Sequence, residues 1–194
     1  ETREDFIHSL REFAGFLATT QRDAAGVENV ATHVESLAHD ILPDFLPLGM
    51  SHGDYAPRNV FVGPDEQVIV FDTLARWRAP IYEDIAHFLL ALKLARPQVY
   101  SLGLAFNETL LARFEQEFLR GYFQDETIPF AAIRLFEKLL LMDKWAALQH
   151  RYRQSSGILR LTRLGILSLW SRCIRRHLQQ PVSPPVPQAL LQTS

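Results

Sequence analysis

The sequence predicts a mainly helical fold with one small β-hairpin. Three observations predict it: apolar residues recur at helical spacing along most of the 194 residues, only two short β-type runs occur, and a turn signal joins those runs. Hydrophobic residues make up 47% and charged residues 22%, which is typical of a globular chain able to bury a core. A parallel βαβ architecture is excluded at this level, because one hairpin supplies too few strands.

Six helices are predicted from the periodicity. Phe6, Leu10 and Leu17 belong to a pattern that predicts the first helix at about 4–19, and a second pattern continues to Ile41. That second helix should end before Pro43, because a residue that precedes proline disfavours the α region. The remaining helices are predicted over 82–95, 107–123, 130–152 and 157–179. The last is apolar almost all round, which favours burial in a core or against a partner.

Residues 43–58 are rich in proline and glycine and are predicted to form a loop. Two strands follow at 59–62 and 67–72, joined by a turn over 63–66. Because a hairpin brings its two ends together, we expect Asn59 and Asp72 side by side, with Asp54 just ahead of them. Two oxygen ligands of the kind that Mg²⁺ prefers then lie beside a third group, a carboxylate that can orient and deprotonate a hydroxyl.

Composition restricts the class of protein. The single cysteine, Cys173, cannot form an internal disulfide and is interpreted as a small buried hydrophobe. No apolar run approaches the roughly 20 residues that span a bilayer, and the first residues do not resemble a signal peptide. We therefore expect a cytoplasmic protein with no membrane partner.

Charge is distributed unevenly along the chain. From Lys144 to Ser194 there are eight basic residues and no acidic ones, whereas the preceding part carries 12 basic and 22 acidic residues, a split of +8 against −10. The basic residues of the last helix spread round it rather than forming a stripe, so we expect them to face acidic neighbours in the same chain and expect no nucleic-acid partner.

The segment from Ser51 to Thr73 resembles a known family. His52-Gly53-Asp54 followed by Asn59 is similar to the kinase catalytic loop H-R-D-x-x-x-x-N, and its H-G-D form looks like the aminoglycoside phosphotransferase and choline kinase group. Asp72-Thr73-Leu74 stands in place of D-F-G. The run Ala79 to Ala86 resembles the G-D-P-x-Y-D-L-A segment of that group, and two later pieces look like its C-terminal helices: Phe118 to Tyr122, and Lys144-Trp145. The resemblance covers about 45–150.

The resemblance implies the C-terminal lobe of a protein-kinase-like fold and transfer of the ATP or GTP γ-phosphoryl group to a hydroxyl of a small molecule, such as an aminoglycoside, choline or a sugar. It implies that Asp54 is the catalytic base and that Asn59 and Asp72 hold Mg²⁺. Acceptor-binding residues cannot be identified, although the acidic bias before Lys144 suits a cationic acceptor.

It also implies supporting roles for other residues. His52 and Asp84 would hold the catalytic loop in shape, Asp84 by accepting hydrogen bonds from its backbone amides. Arg58 and Arg76 are candidates for contact with phosphate, with solvated surface as the alternative for each, as it is for Arg78.

In this reading residues 1–180 form the lobe, with a catalytic loop at 51–59, a metal-binding hairpin at 59–73 and a helical remainder at 82–179. Residues 181–194 form a loose proline-rich tail. Kinases of this class bind the nucleotide phosphates with a lysine and a Gly-rich loop that precede the catalytic loop. The first lysine here is Lys93, and no Gly-rich loop precedes Asp54. We expect the N-terminal lobe to be a missing partner in cis, and little turnover from residues 1–194 alone.

Two alternatives remain at the sequence level. One is a non-catalytic kinase-like binding module or a truncated relic, which the missing lobe favours. The other is a serine hydrolase, because Gly49 to Gly53 matches G-x-S-x-G with Ser51 at its centre, and Asp84 or Asp125 with His150 would complete a triad. Prolines on both sides of Ser51 argue against the strand and helix that this motif requires.

Overall fold

The computed structural model describes residues 1–21, 23–74, 76–101, 104–124 and 126–182, and side chains for all of these except residues 76–77 and 157–163. Within these residues there are seven α-helices: α1 (Arg3–Ala18), α2 (Ala24–Ile41), α3 (Ile81–Lys93), α4 (Arg96–Tyr100), α5 (Glu108–Phe123), α6 (Phe130–Arg153) and α7 (Gly157–Leu178). The six predicted helices are confirmed to within a few residues. Helix α4 was not predicted, because five residues are too few to show a helical period.

The ends of the first two helices follow from local sequence. Thr2 and Asp5 form a capping box at the start of α1, in which each side chain accepts a hydrogen bond from the other residue's backbone N–H. Asp23 caps α2 by accepting from the N–H of Gly26 at 3.0 Å. Helix α2 ends at Ile41, and Leu42 is extended, as expected of the residue before Pro43.

The strands form two separate two-stranded antiparallel sheets. Strands β2 (Val60–Val62) and β3 (Val68–Val70) pair with Val60 opposite Val70, which confirms the predicted hairpin. Strand β1 (Leu48–Ser51) pairs with β4 (Arg76–Pro80), so the prediction of a single hairpin was wrong, as was that of an unbroken loop at 43–58. A short 3-10 helix, Pro57–Asn59, also lies in that segment, and Asn59 ends it instead of opening a strand.

Strand β1 lacks a sequence signal because its partner is distant and its pattern does not alternate cleanly. Gly49 lies opposite Ala79, and a Cβ at Gly49 would lie 2.8 Å from the Cγ2 of Ile81. Glycine is therefore required by the close approach of α3 rather than by a turn. The pairing holds the start of the loop at 51–59 against the start of α3.

Helix α6 lies at the centre of the core and packs against α1, α2, α3 and α7. Its fully buried positions include Leu135, Leu141 and Met142, and α1 and α3 contribute Leu10 and Leu89. These contacts form one continuous apolar cluster, and the sheet of β1 and β4 packs against α3 at its edge.

A buried ionic cluster ties α3, α5 and α6 together. Lys93 Nζ lies 2.6 Å from Glu137 Oε1 and 3.1 Å from Glu115 Oε2. Arg134 pairs with the same two carboxylates at 2.7 and 2.5 Å. Two positive and two negative charges are thus neutralised within one cluster, which offsets the cost of burying them.

The end of α7 is held by Lys138, whose ammonium donates to the carbonyls of Leu178 and Gln180 at 2.6 and 2.7 Å. Of the predicted tail, Pro181 and Val182 are described, and Val182 packs against the core; residues 183–194 lie outside the described residues. Arg176 of α7 pairs with Glu108 at 3.0 Å, and Arg175 lies over the ring of Trp145. In the described ranges, no helix is both long and apolar enough to cross a membrane.

Candidate functional site

The loop after β1 is fixed by a carboxylate in the first turn of α3. Asp84 accepts hydrogen bonds from the backbone N–H groups of His52 at 2.5 Å and of Gly53 at 3.0 Å. Charged acceptors of this kind form stronger hydrogen bonds than neutral ones do. Gly53 has a φ of 80°, a left-handed conformation that glycine adopts without strain. Asp84 and Gly53 together define the path of the chain into Asp54.

His52 joins this loop to the end of the hairpin. Its Nε2–H donates to the carbonyl of Phe71 at 2.9 Å, and its Nδ1 accepts from the N–H of Asp54 at 3.4 Å. These partners make Nε2 the donor and Nδ1 the acceptor of the ring. The Leu74 N–H also donates to the His52 carbonyl at 2.9 Å. His52 is buried, so its role in this structure is to bridge two segments rather than to meet solvent.

Asp54 forms an ion pair with Arg58, four residues later. One Arg58 nitrogen, Nη2, lies 2.6 Å from Oδ1 and 2.5 Å from Oδ2 of Asp54. Partial burial acts to raise the pKa of Asp54, but the hydrogen bond and charge of Arg58, helped by His87 and Asn59, outweigh it and lower the pKa overall. Asp54 is therefore an ionised, half-exposed carboxylate at neutral pH.

Asn59 links Asp54 to the hairpin. Its side-chain Nδ2 donates to the carbonyl of Asp54 at 2.8 Å, and its own carbonyl accepts from the N–H of Phe71 at 3.1 Å. Asp72 is the next residue, with a left-handed φ of 62° and an exposed position. The backbone of Asn59 is thus paired with the residue before Asp72, whereas the expectation that Asn59 and Asp72 lie side by side stays a prediction.

Two side chains near this edge carry oxygens of the kind that hard cations bind. Asn59 has its Oδ1 as an acceptor because its Nδ2 is the donor to Asp54, and Asp72 has an exposed carboxylate. Such a pair suits Mg²⁺, which is commonly held by one or two protein oxygens together with phosphates and water. No group of three or more His, Cys, Asp or Glu side chains arranged for a metal occurs among the described residues.

An aromatic ladder beside the loop was not predicted from the sequence. The Tyr55 ring lies 5.0 Å from that of Phe88, which stacks on Phe118 at 4.2 Å, and Tyr122 continues the series. Burial, and then the charge of Asp84, raises the pKa of Tyr55 and of Tyr122. The members come from the loop, α3 and α5, so only the packing of these helices could reveal the ladder.

Lys144 of α6 contributes to the electrostatics of the same site. Burial lowers its pKa, the charges of Asp143 and Asp54 act to raise it, and the charge of Arg58 lowers it further. The helix that forms the centre of the core therefore also brings a cation into the field of Asp54. The sequence indicated Lys144 only as part of a resemblance to C-terminal helices.

The other candidate residues are placed as follows. Arg58 pairs with Asp54, and its contact with phosphate stays a prediction. The side chain of Arg76 lies outside the described residues, and Arg78 is exposed.

For the serine hydrolase alternative, the structure differs from the expectation in one respect, because β1 leads into Ser51. The Ser51 hydroxyl accepts from the Gly53 N–H, whereas His150 bonds to Gln154. In the described part of the chain, no hydrogen bond joins Ser51 to His150, and no α-helix follows Ser51 directly. Asp125 lies outside the described residues.

In comparisons with known proteins, no protein-family model matches this chain, and neither a curated protein nor a solved structure matches it.

Proposed function

We propose that residues 1–180 form the catalytic-loop lobe of a protein-kinase-like phosphotransferase that transfers the γ-phosphoryl group of ATP or GTP to a hydroxyl of a small molecule. The observation that carries the proposal is that Asn59 donates to the Asp54 carbonyl and accepts from the N–H of Phe71, the residue before Asp72, at one edge of the fold. A base and two oxygen ligands in this order are the parts that such a transfer requires.

In this proposal Asp54 orients the acceptor hydroxyl and accepts its proton as the oxygen bonds to the γ-phosphorus, while the bond from that phosphorus to the β–γ bridging oxygen breaks and ADP or GDP leaves. A lowered pKa supports the role, since the carboxylate is ionised at neutral pH. Because a weakly basic carboxylate gains little from proton transfer alone, most of its effect comes from holding the hydroxyl in line. Arg58, which now engages both oxygens of Asp54, would have to release one of them to the acceptor.

Asn59 and Asp72 are the residues that would hold Mg²⁺. The bound ion supplies positive charge that neutralises the phosphates of the nucleotide. The hydrogen bond from Asn59 Nδ2 to the Asp54 carbonyl fixes the amide, so that Oδ1 is preorganised as a ligand. His52 supports the same edge by bonding to Phe71, the residue before Asp72.

The experiment uses Mn²⁺ as a paramagnetic substitute for Mg²⁺. We expect Mn²⁺ with ATP to broaden the backbone amide NMR signals of Asn59 and Asp72 in the 194-residue chain, and we expect Asp72→Asn to abolish the effect. The matched control is Asp65→Asn, which removes a carboxylate from the exposed turn of the same hairpin and should leave the broadening unchanged. Broadening centred elsewhere, or equal loss in both variants, would contradict the proposal.

A non-catalytic kinase-like binding module is the second candidate. The ion pair favours it, because both carboxylate oxygens of Asp54 are engaged by Arg58. Phosphoryl transfer from radiolabelled ATP distinguishes the two. Metal-dependent nucleotide binding without transfer to any hydroxyl acceptor, in a protein that also carries a Gly-rich lobe, would favour the binding module.

A further inference from the structure

A groove of about 250 Å³ opens beside the 3-10 helix Pro57–Asn59, between the C-terminal end of α3 and the first half of α5. Its walls are apolar and include Leu92 of α3 and Leu110 and Phe114 of α5. Arg58 is the one charged side chain among the described residues that line it. A concave, mostly apolar surface with a few polar groups is the usual form of a small-molecule site.

Two of the lining side chains are large, apolar and open to solvent. Leu110 is 43% exposed and Phe114 is 53% exposed, although the same helix buries Leu119 completely. Exposed apolar surface of this kind gains free energy when an apolar molecule covers it. The groove is therefore suited to the apolar part of a small molecule rather than to water alone.

The groove lies one side chain away from the candidate base. Arg58 lines the groove, and its Nη2 contacts both carboxylate oxygens of Asp54. A polar group on a molecule that fills the groove would therefore meet the side chain that pairs with Asp54. This juxtaposition distinguishes the groove from an isolated surface hollow.

The charges around the groove disfavour a cationic ligand. Glu115 follows Phe114 on α5, but it is buried and paired with Lys93 and Arg134. Glu137 is neutralised in the same cluster. Glu108, in the first turn of α5, pairs with Arg176, and the charged side chain that lines the groove among the described residues is the cation Arg58.

We propose that this groove binds the body of the acceptor, which is a hydroxylated molecule with an apolar ring or alkyl skeleton. The hydroxyl lies at the Arg58 end and the skeleton lies against Leu92, Leu110 and Phe114. The assignment of the ligand as acceptor rests on the proposed phosphotransferase function. It replaces the cationic acceptor that the acidic bias of the sequence favoured.

The test measures binding of 2-(1-naphthyl)ethanol, an apolar alcohol with its own fluorescence, to the 194-residue chain without metal or nucleotide. We expect saturable binding and shifts in the NMR signals of Leu92 and Leu110. Leu110→Asp should weaken binding at least tenfold, since it introduces a carboxylate into the apolar wall. The matched control Thr109→Asp adds the same charge one residue earlier on α5, at an exposed position that does not line the groove, and should bind as the wild type does.

Ala91→Phe, which fills the groove from α3, is a second variant and should also abolish binding if Leu110→Asp does not fold. Lack of saturable binding, equal weakening by Leu110→Asp and Thr109→Asp, or tighter binding of glucosamine, a polar cationic alcohol, would each overturn the inference. If the naphthyl probe binds but the Mn²⁺ experiment fails, the assignment of the ligand as acceptor is contradicted together with the proposed function. If the Mn²⁺ experiment succeeds but the probe does not bind, only the groove as a ligand site is contradicted.

Discussion

Asp84 accepts a 2.5 Å hydrogen bond through Oδ2 from the backbone N–H of His52, a residue 32 positions earlier in the chain. Its second oxygen accepts from the N–H of Gly53. One side chain in the first turn of α3 thus fixes two successive amides of the loop that leads into Asp54. The shape of the candidate site depends on this contact between distant segments.

Asp84→Asn is expected to weaken the loop, because an amide can offer only one oxygen where the carboxylate accepts two hydrogen bonds. Hydrogen bonds to charged groups contribute about 1.5–3 kcal/mol each, so we expect a loss of about 2 kcal/mol in the free energy of unfolding. Chemical denaturation measures the loss. Asp40→Asn, on an exposed position of α2, is the control and should change stability by less than about 0.5 kcal/mol. Equal effects of the two variants would contradict the role of Asp84.

Gly53→Ala is expected to destabilise the chain by about 1–2 kcal/mol, because a side chain at a φ of 80° meets the following carbonyl oxygen. Gly121→Ala is the matched control. Gly121 lies inside α5 with open space around its Cα, so a methyl group there should stabilise the helix by about 0.5–1 kcal/mol. Opposite signs in the two thermal unfolding curves are the expected result, and a common sign would refute the strained turn.

Arg58→Ala is expected to raise the pKa of Asp54, because burial already opposes ionisation and the guanidinium is the main group that counteracts it. A pH titration of the Asp54 carboxyl carbon by NMR measures the change, and Arg113→Ala, on the exposed surface of α5, should leave it unchanged.

The same ion pair has a consequence for stability. Since the pKa of Asp54 in the folded chain lies below the usual 3.8, the pair stabilises the fold at neutral pH. That contribution should fade as the pH falls from about 4 through the lowered value, and it should be absent from the pH profile of Arg58→Ala. Identical acid-unfolding profiles for the wild type and this variant would show that the pair is not formed in solution.

Lys138 predicts a second pH dependence, in which stability again rises with pH but in the alkaline range. Burial lowers its pKa from 10.5 to about 8 in the folded chain, although the charge of Glu137 opposes the shift. The unfolded chain therefore binds more protons between about pH 8 and 10.5, so stability gains from this lysine as the pH rises through that range. Lys138→Met removes the titrating group, so this increase in the free energy of unfolding should be absent from the variant. We expect the difference in the free energy of unfolding between wild type and variant to change across this range, and a constant difference would contradict the prediction.

The sequence determined the helices because their signal is local. Apolar residues repeat at helical spacing, and Pro43 and the N-terminal cap at Thr2 mark ends within a few residues. The hairpin was equally readable, since its turn joins two adjacent runs. Hairpin geometry then sufficed to predict that Asn59 lies beside the end of the second run, where its carbonyl accepts from the N–H of Phe71.

Only the tertiary structure decided the second sheet, the partner of Asp54 and the groove. Strand β1 pairs with a strand 25 or more residues away, and its Gly49 is required by the approach of Ile81. The Arg58 side chain, which could equally have met phosphate or solvent, meets Asp54 because the 3-10 helix turns it back along the loop. The groove exists because α5 packs beside the end of α3, and such contacts depend on the three-dimensional arrangement of helices rather than on any local pattern of residues.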